Sequence, residues 1–113
     1  MNQERRILIA SDEGISIQSV RDISDAISTC FGAAGLILSE KDLAQEFFDL
    51  RTGLAGEVFQ KFINYQIRVA IVLPNPDAYG ERFSELAYEH ASHPMIRFVP
   101  SEEEARAWLS TER

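Results

Sequence analysis

Four short apolar runs punctuate the chain: residues 6–11 (RILIAS), 35–39 (GLILS), 67–73 (IRVAIVL) and 95–99 (MIRFV). Three of the four are nearly continuous in hydrophobicity and rich in Ile, Val and Leu. Strands buried on both faces read this way, as in a parallel sheet sandwiched by helices. Ile15 and Ile17, flanked by Ser16 and Gln18, allow a further short strand after the turn at Asp12-Glu13-Gly14.

Between and after these runs the apolar spacing changes to that of helices. Residues 19–31 place Val20, Ile23, Ile27, Cys30 and Phe31 on one face. Ser19 and Asp22 resemble a capping box at the start of that helix, and Gly32 is a natural stop. Residues 54–65 carry Leu54, Val58, Phe59, Phe62 and Tyr65 on one face. Residues 81–91 carry Phe83, Leu86, Ala87 and His90, and Pro94 prevents continuation. The last segment opens with a capping box, Ser101 and Glu104, and buries Trp108 and Leu109. Leu43 and Phe47, four apart, allow a short extra helix over residues 40–48. Strand and helix therefore alternate four times. The expected fold is one α/β domain over residues 1–113, with a four- to five-stranded, mostly parallel sheet flanked by helices.

Composition narrows the class. One hundred and thirteen residues suit a single domain, and 45% hydrophobic is ordinary for a globular chain. A net charge of −7 argues against nucleic acid or an anionic membrane as partner, since both select basic surfaces. A lone cysteine, Cys30, forms no internal disulfide and fits a small core residue in a reducing compartment. No apolar run has the length of a signal peptide core or a membrane span, so a cytoplasmic location is expected.

The segment 47–65, FFDLRTGLAGEVFQKFINY, poses its own question. Gly56 stands early in a helix, where glycine costs roughly 1 kcal/mol relative to alanine. A close approach of helix to sheet would explain it. Gly53 suits a turn or cap, and Thr52 or Asp49 suits a side-chain cap. Glu57, Lys61 and Asn64 fall away from the apolar face, with Glu57 and Lys61 spaced for an i,i+4 pair.

Phe47, Phe48, Asp49, Leu50, Thr52, Gly53, Ala55, Gly56, Glu57, Gln60, Lys61, Phe62, Asn64 and Tyr65 closely resemble the signature of a bacterial family known as domain of unknown function 4180. The resemblance covers nearly the whole chain. The chain departs from the family pattern at Leu73-Pro74-Asn75-Pro76. More distantly, Phe48 to Leu54 is similar to the FxDSSGL turn of STAS domains (anti-sigma-factor antagonists, SpoIIAA-like), where the turn precedes a helix packed on the sheet. That likeness implies a regulatory, partner-binding role and a STAS-like sheet. A serine in that STAS turn can be phosphorylated; here Thr52 is the only hydroxyl.

Candidate chemistry is thin. The loops after the strands form an acidic rim, similar to that of response-regulator receivers, but Ser39 and Ser101 stand near the positions where those domains need an Asp and a Lys. His90 and His93 fit a helix C-terminus better than a zinc site, which needs three or four converging ligands. No phosphate-binding glycine motif occurs. No catalytic residue, metal or cofactor is assigned. The leading expectation is a non-enzymatic regulatory or protein-interaction module whose contact surface is Asp49, Arg51, Thr52, Gly53, Glu57, Lys61 and Asn64. The alternative is a small-ligand or anion-binding protein, or enzyme, using the same turn at a helix N-terminus. A homodimer is compatible with the sequence, which identifies no face for it.

Overall fold

The structure, a computed structural model, describes residues 5–111. Four strands, β1 (Ile7–Ile9), β2 (Gly35–Ser39), β3 (Val69–Val72) and β4 (Ile96–Val99), form one sheet in the order β1-β2-β3-β4, and every neighbouring pair is parallel. The fold is the expected α/β layer structure. The fifth-strand candidate is reduced to a single bridge, Ile17 to Leu43, with Ile17 N–H on Asp42 O at 2.8 Å and Ala44 N–H on Ile17 O at 3.0 Å. The helix expected over residues 40–48 is two short 3₁₀ turns, Glu40–Asp42 and Gln45–Phe48.

A parallel sheet laid down in chain order, with right-handed connections, sends every crossover over the same face. The buried residues of α1 (Arg21–Cys30), α2 (Leu54–Asn64) and α3 (Glu81–Glu89) accordingly share one cluster with Leu8, Leu36, Leu38, Val69, Ile71, Ile96 and Phe98. The final helix, α4 (Glu102–Leu109), crosses to no further strand. It covers the opposite face, where Ala105 and Leu109 pack on Ile37, Ala70 and Val99. Alternate residues of β2 thus enter different cores, and the uninterrupted hydrophobicity of its run has its cause there.

Two glycine expectations meet different outcomes. Gly53 takes φ +81°, the left-handed turn conformation anticipated for it. Gly56 does not mediate a close approach: a Cβ built there has nothing within 4 Å, and the residue is exposed. Its neighbour Ala55 faces the core instead, 2% exposed. The glycine that does permit intimate packing is Gly35 at the start of β2. A Cβ there would lie 2.5 Å from Leu109 Cδ2 and 3.0 Å from Arg68 O.

The helix ends also correct the sequence pattern. Val20, Phe31 and Tyr65, assigned to buried faces by spacing, are 51%, 63% and 54% exposed. Each lies at or just beyond a helix terminus, where the chain has passed the neighbouring element that would cover it. Phe31 and Tyr65 instead meet each other edge to face, with ring centroids 6.0 Å apart. At the start of α1, Asp22 Oδ2 accepts from the Gln18 and Ser19 N–H groups at 2.8 and 3.2 Å, while the Ser19 side chain makes no cap. Ser101 Oγ does cap α4, accepting from Glu104 N–H at 3.2 Å.

Arg68, just ahead of β3, is a buried cation, 6% exposed. Its Nη2 donates to Leu109 O (2.9 Å) and Thr111 O (2.7 Å), and its Nη1 to Trp108 O (3.4 Å) and Thr111 Oγ1 (3.3 Å). These include carbonyls that the end of α4 leaves without intrahelical donors. Arg68 and Arg97 also lie over the Trp108 ring, at 5.2 and 4.6 Å from its centroid. One side chain thereby ties the last helix to the middle of the sheet.

Candidate functional site

In an all-parallel sheet the carboxyl ends of the strands share one rim, and ligands of open α/β folds gather there. The strand order here never reverses, so no crevice opens between diverging crossovers. Hydrogen bonds among its own side chains tie the rim, and a groove of about 310 Å³ opens at the ends of β3 and β4 beside Leu73, Pro74, Val99 and Pro100. Asp42, 6% exposed, accepts from Ser39 N–H (2.8 Å) and Ser39 Oγ (3.0 Å). Asp77 accepts from Ser84 Oγ at 2.5 Å, and Glu40 accepts from the Tyr79 hydroxyl. Burial first, and then the bond to Glu40, push the Tyr79 phenol up to about 12, so it remains a donor. Among the described residues, no three His, Cys, Asp or Glu side chains group as metal ligands.

The turn before α2 is built from local hydrogen bonds. Asp49 caps the 3₁₀ turn Leu50–Thr52, with Oδ1 accepting from Arg51 N–H at 3.1 Å. The same carboxylate receives Arg51 Nε at 3.0 Å and Nη2 at 2.9 Å, a bidentate pair. The Arg51 side chain holds the Asp49 carboxyl below its ordinary range and is itself raised by Asp49. Thr52 Oγ1 lies 2.7 Å from Glu46 O and 2.9 Å from Asp49 O, and accepts from Leu54 N–H at 3.3 Å. The cap expected from Thr52 or Asp49 is therefore divided: Asp49 caps the 3₁₀ turn, and Thr52 reaches the first amide of α2.

Beside this turn lies a surface hollow of about 730 Å³. Phe48 and Tyr79 stack within it, centroids 3.9 Å apart and planes 12° apart, with Phe83 at 5.2 Å from Phe48. Asp49, Arg51, Glu81 and Arg82 supply its charged lining. Of the residues singled out from sequence, only Asp49 and Arg51 line it. Thr52 and Gly53 set the turn behind them. Glu57, Lys61 and Asn64 continue along α2 on its solvent side; Glu57 and Lys61 are not among the ion pairs of the described residues. Sequence reading placed Phe48 in the turn but missed it, with Tyr79 and Arg82, as lining of the hollow. The doublet Phe47-Phe48 was the available signal: Phe47 is fully buried, so its neighbour in the tight 3₁₀ turn is directed elsewhere.

The two histidines sit at the far end of α3. His90 Nδ1 lies 2.9 Å from Ile96 O, and His93 Nδ1 accepts from Met95 N–H (3.1 Å) and Ile96 N–H (3.2 Å). Their rings stack at 4.5 Å. Cys30 is fully buried, and its burial, with Glu13 second, pushes the thiol up to about 11.

No helix among the described residues is long and apolar enough to cross a membrane. No curated protein and no solved structure matches the chain. A family model described as a domain of unknown function, DUF4180, matches residues 2–109. The turn, the helix it opens and the sheet they rest on all fall inside that span, and the chain belongs to the DUF4180 family.

Proposed function

We propose that this protein is a non-enzymatic regulatory module that binds another protein through the hollow at the Asp49–Arg51 turn and the adjoining polar side of α2. The observation that carries this reading is the composition of the hollow. Stacked Phe48 and Tyr79 form an apolar floor, and Arg51, Arg82, Asp49 and Glu81 form a charged margin. Interface hot spots favour Tyr, Trp and Arg around a desolvated centre with a polar rim. The turn is also fixed before any partner arrives, because Asp49 and Thr52 hold it through their own hydrogen bonds. Preorganisation of that kind lowers the entropy lost on binding. The STAS likeness of Phe48–Leu54 supports a regulatory role in a bacterial cytoplasm, with α2 packed on the sheet directly after the turn. The acidic net charge argues against nucleic acid and membrane as partners.

The test is affinity capture of partners with the wild type and with Arg51→Glu plus Lys61→Glu, the fold of each checked by circular dichroism. Loss of a wild-type partner from the folded double variant supports the surface. Retention of every partner sinks it. A second reading, a small anion at the same turn, has Arg51 and Arg82 in one hollow in its favour. Against it, Asp49 already neutralises Arg51. Thermal shift against phosphates, nucleotides and divalent ions separates the two, since a specific ligand raises the melting temperature with concentration.

A further inference from the structure

Two adjoining hollows run along α3 and share Asp77, Ser84 and Tyr88. One, of about 310 Å³, is the groove at the carboxyl ends of β3 and β4. Its floor is apolar, made by the buried side chains of Leu73, Ala87, Phe98 and Val99. Pro74, Pro76 and Pro100 frame it, and their fixed φ angles make that frame stiff. The other hollow, of about 630 Å³, lies against α3 itself. Tyr88 stands where the two meet. It is 82% exposed, the most exposed of the large hydrophobic side chains among the described residues.

The second hollow has a wall of carboxylates. Asp77, from the 3₁₀ turn Pro76–Tyr79, and Glu81, Glu85 and Glu89 of α3 follow one another at intervals of four, and all are exposed. No lysine, arginine or histidine lines either hollow. Like charges four apart on a helix repel one another. On α4 the same interval is neutralised, with Arg106 Nε on Glu102 at 3.1 Å. On α3 it is not: none of the three glutamates belongs to an ion pair of the described residues. The one arginine of α3, Arg82, lies in the hollow beside the Asp49–Arg51 turn.

We propose that this groove receives a basic amphipathic helix of another protein, with its cations along the Glu81–Glu85–Glu89 row and its apolar side against Tyr88 and the floor at Phe98 and Val99. Local charge complementarity selects the occupant, because the wall is of one sign with no cation interleaved. Successive glutamates stand about 6 Å apart along the helix axis. A partner helix lying alongside repeats its i and i+4 cations at the same step. The apolar floor distinguishes such a helix from a bare polyamine or metal ion, which would meet the carboxylates and leave the floor uncovered. Tyr88 is the anchor, since a tyrosine beside an apolar pocket with a charged margin has the composition of an interface hot spot. This groove shares only Gly80 and Glu81 with the hollow at the turn, so a helix held here leaves that hollow open.

Fluorescence anisotropy with a labelled synthetic peptide tests the proposal. The probe is a helix with lysine at every fourth position and leucine on the adjoining face. Its control has the same composition in an order that breaks the apolar face. The intact protein is expected to bind the ordered peptide roughly tenfold more tightly than the control. Glu85→Lys is expected to weaken binding about tenfold while the melting temperature holds or rises, because it sets a cation between Glu81 and Glu89. That split separates a contact role from a structural one. Should this reversal fail to fold, Glu85→Gln with Glu89→Gln takes its place. Tyr88→Ser, at an exposed position, is expected to weaken binding about fivefold with the fold unchanged by circular dichroism. Asp25→Lys makes the same change in net charge on α1, outside the groove, and is expected to weaken binding less than about twofold. Equal binding of the two peptides, or equal weakening by Asp25→Lys and Glu85→Lys, would trace the attraction to net charge and overturn the proposal. So would binding untouched by Tyr88→Ser, and so would no binding of the ordered peptide at low salt.

Discussion

At the scale of single residues, space and not identity decides what a glycine does. Gly35 and Gly56 are the same residue in opposite surroundings. Gly35→Ala drives a methyl into Leu109 and the Arg68 carbonyl, and is expected to destabilise by about 1–3 kcal/mol. Gly56→Ala adds a methyl in open space within a helix at ordinary φ, and is expected to stabilise by about 0.5–1 kcal/mol. Urea denaturation of both variants checks the pair, and opposite signs are the expected outcome. Cys30 gives a second residue-scale prediction. With its thiol near 11 and its surface fully buried, only about one molecule in a thousand carries thiolate at pH 8. Labelling by a disulfide reagent is therefore expected to proceed at the rate of unfolding. Fast labelling of the native protein would contradict the burial.

At the scale of elements, the last helix depends on a residue more than thirty positions before it. Arg68 supplies the donors that the carboxyl end of α4 lacks, and its charge suits that end of the helix dipole. Arg68→Met keeps most of the aliphatic volume and removes the donors. The expected loss is about 2–4 kcal/mol, with a red shift of Trp108 emission as α4 loosens. Unchanged stability would mean that α4 is held by Ala105 and Leu109 alone. The four helices were legible in the sequence because burial on one face imposes a 3.6-residue rhythm on each. Their ends were less so. Val20, Phe31 and Tyr65 keep the rhythm yet stand in solvent, because spacing records direction around the helix axis and not how far the neighbouring layer extends.

At the scale of the molecule, the chain order of the strands leaves the two faces of the sheet unequally covered. Three crossovers crowd one face, and α4 by itself shields Ile37, Ala70, Val99 and the half-buried Ile7, Ile9 and Val72 on the other. A chain stopped after Pro100 would expose that face as one contiguous apolar surface. It is expected to aggregate on expression, whereas a chain stopped after Leu109 retains Ala105 and Leu109. Light scattering of the two truncations at equal concentration is the check. The loss of the Arg68 partners at the chain end predicts an intermediate melting temperature for the longer one.

The strands, the helices and their parallel α/β arrangement were written in the sequence. Burial on two faces leaves unbroken apolar runs, burial on one face leaves a helical stripe, and short-range caps such as Ser101–Glu104 mark where helices begin. The turn Asp49–Gly53 was legible for the same reason, since its bonds join near neighbours. What only the tertiary structure decided are the pairings between distant segments: Gly35 under Leu109, Arg68 on the end of α4, Tyr79 on Phe48, and His93 on the β4 edge. None of these leaves a periodic trace, because each depends on where two elements meet after the crossovers have chosen their face.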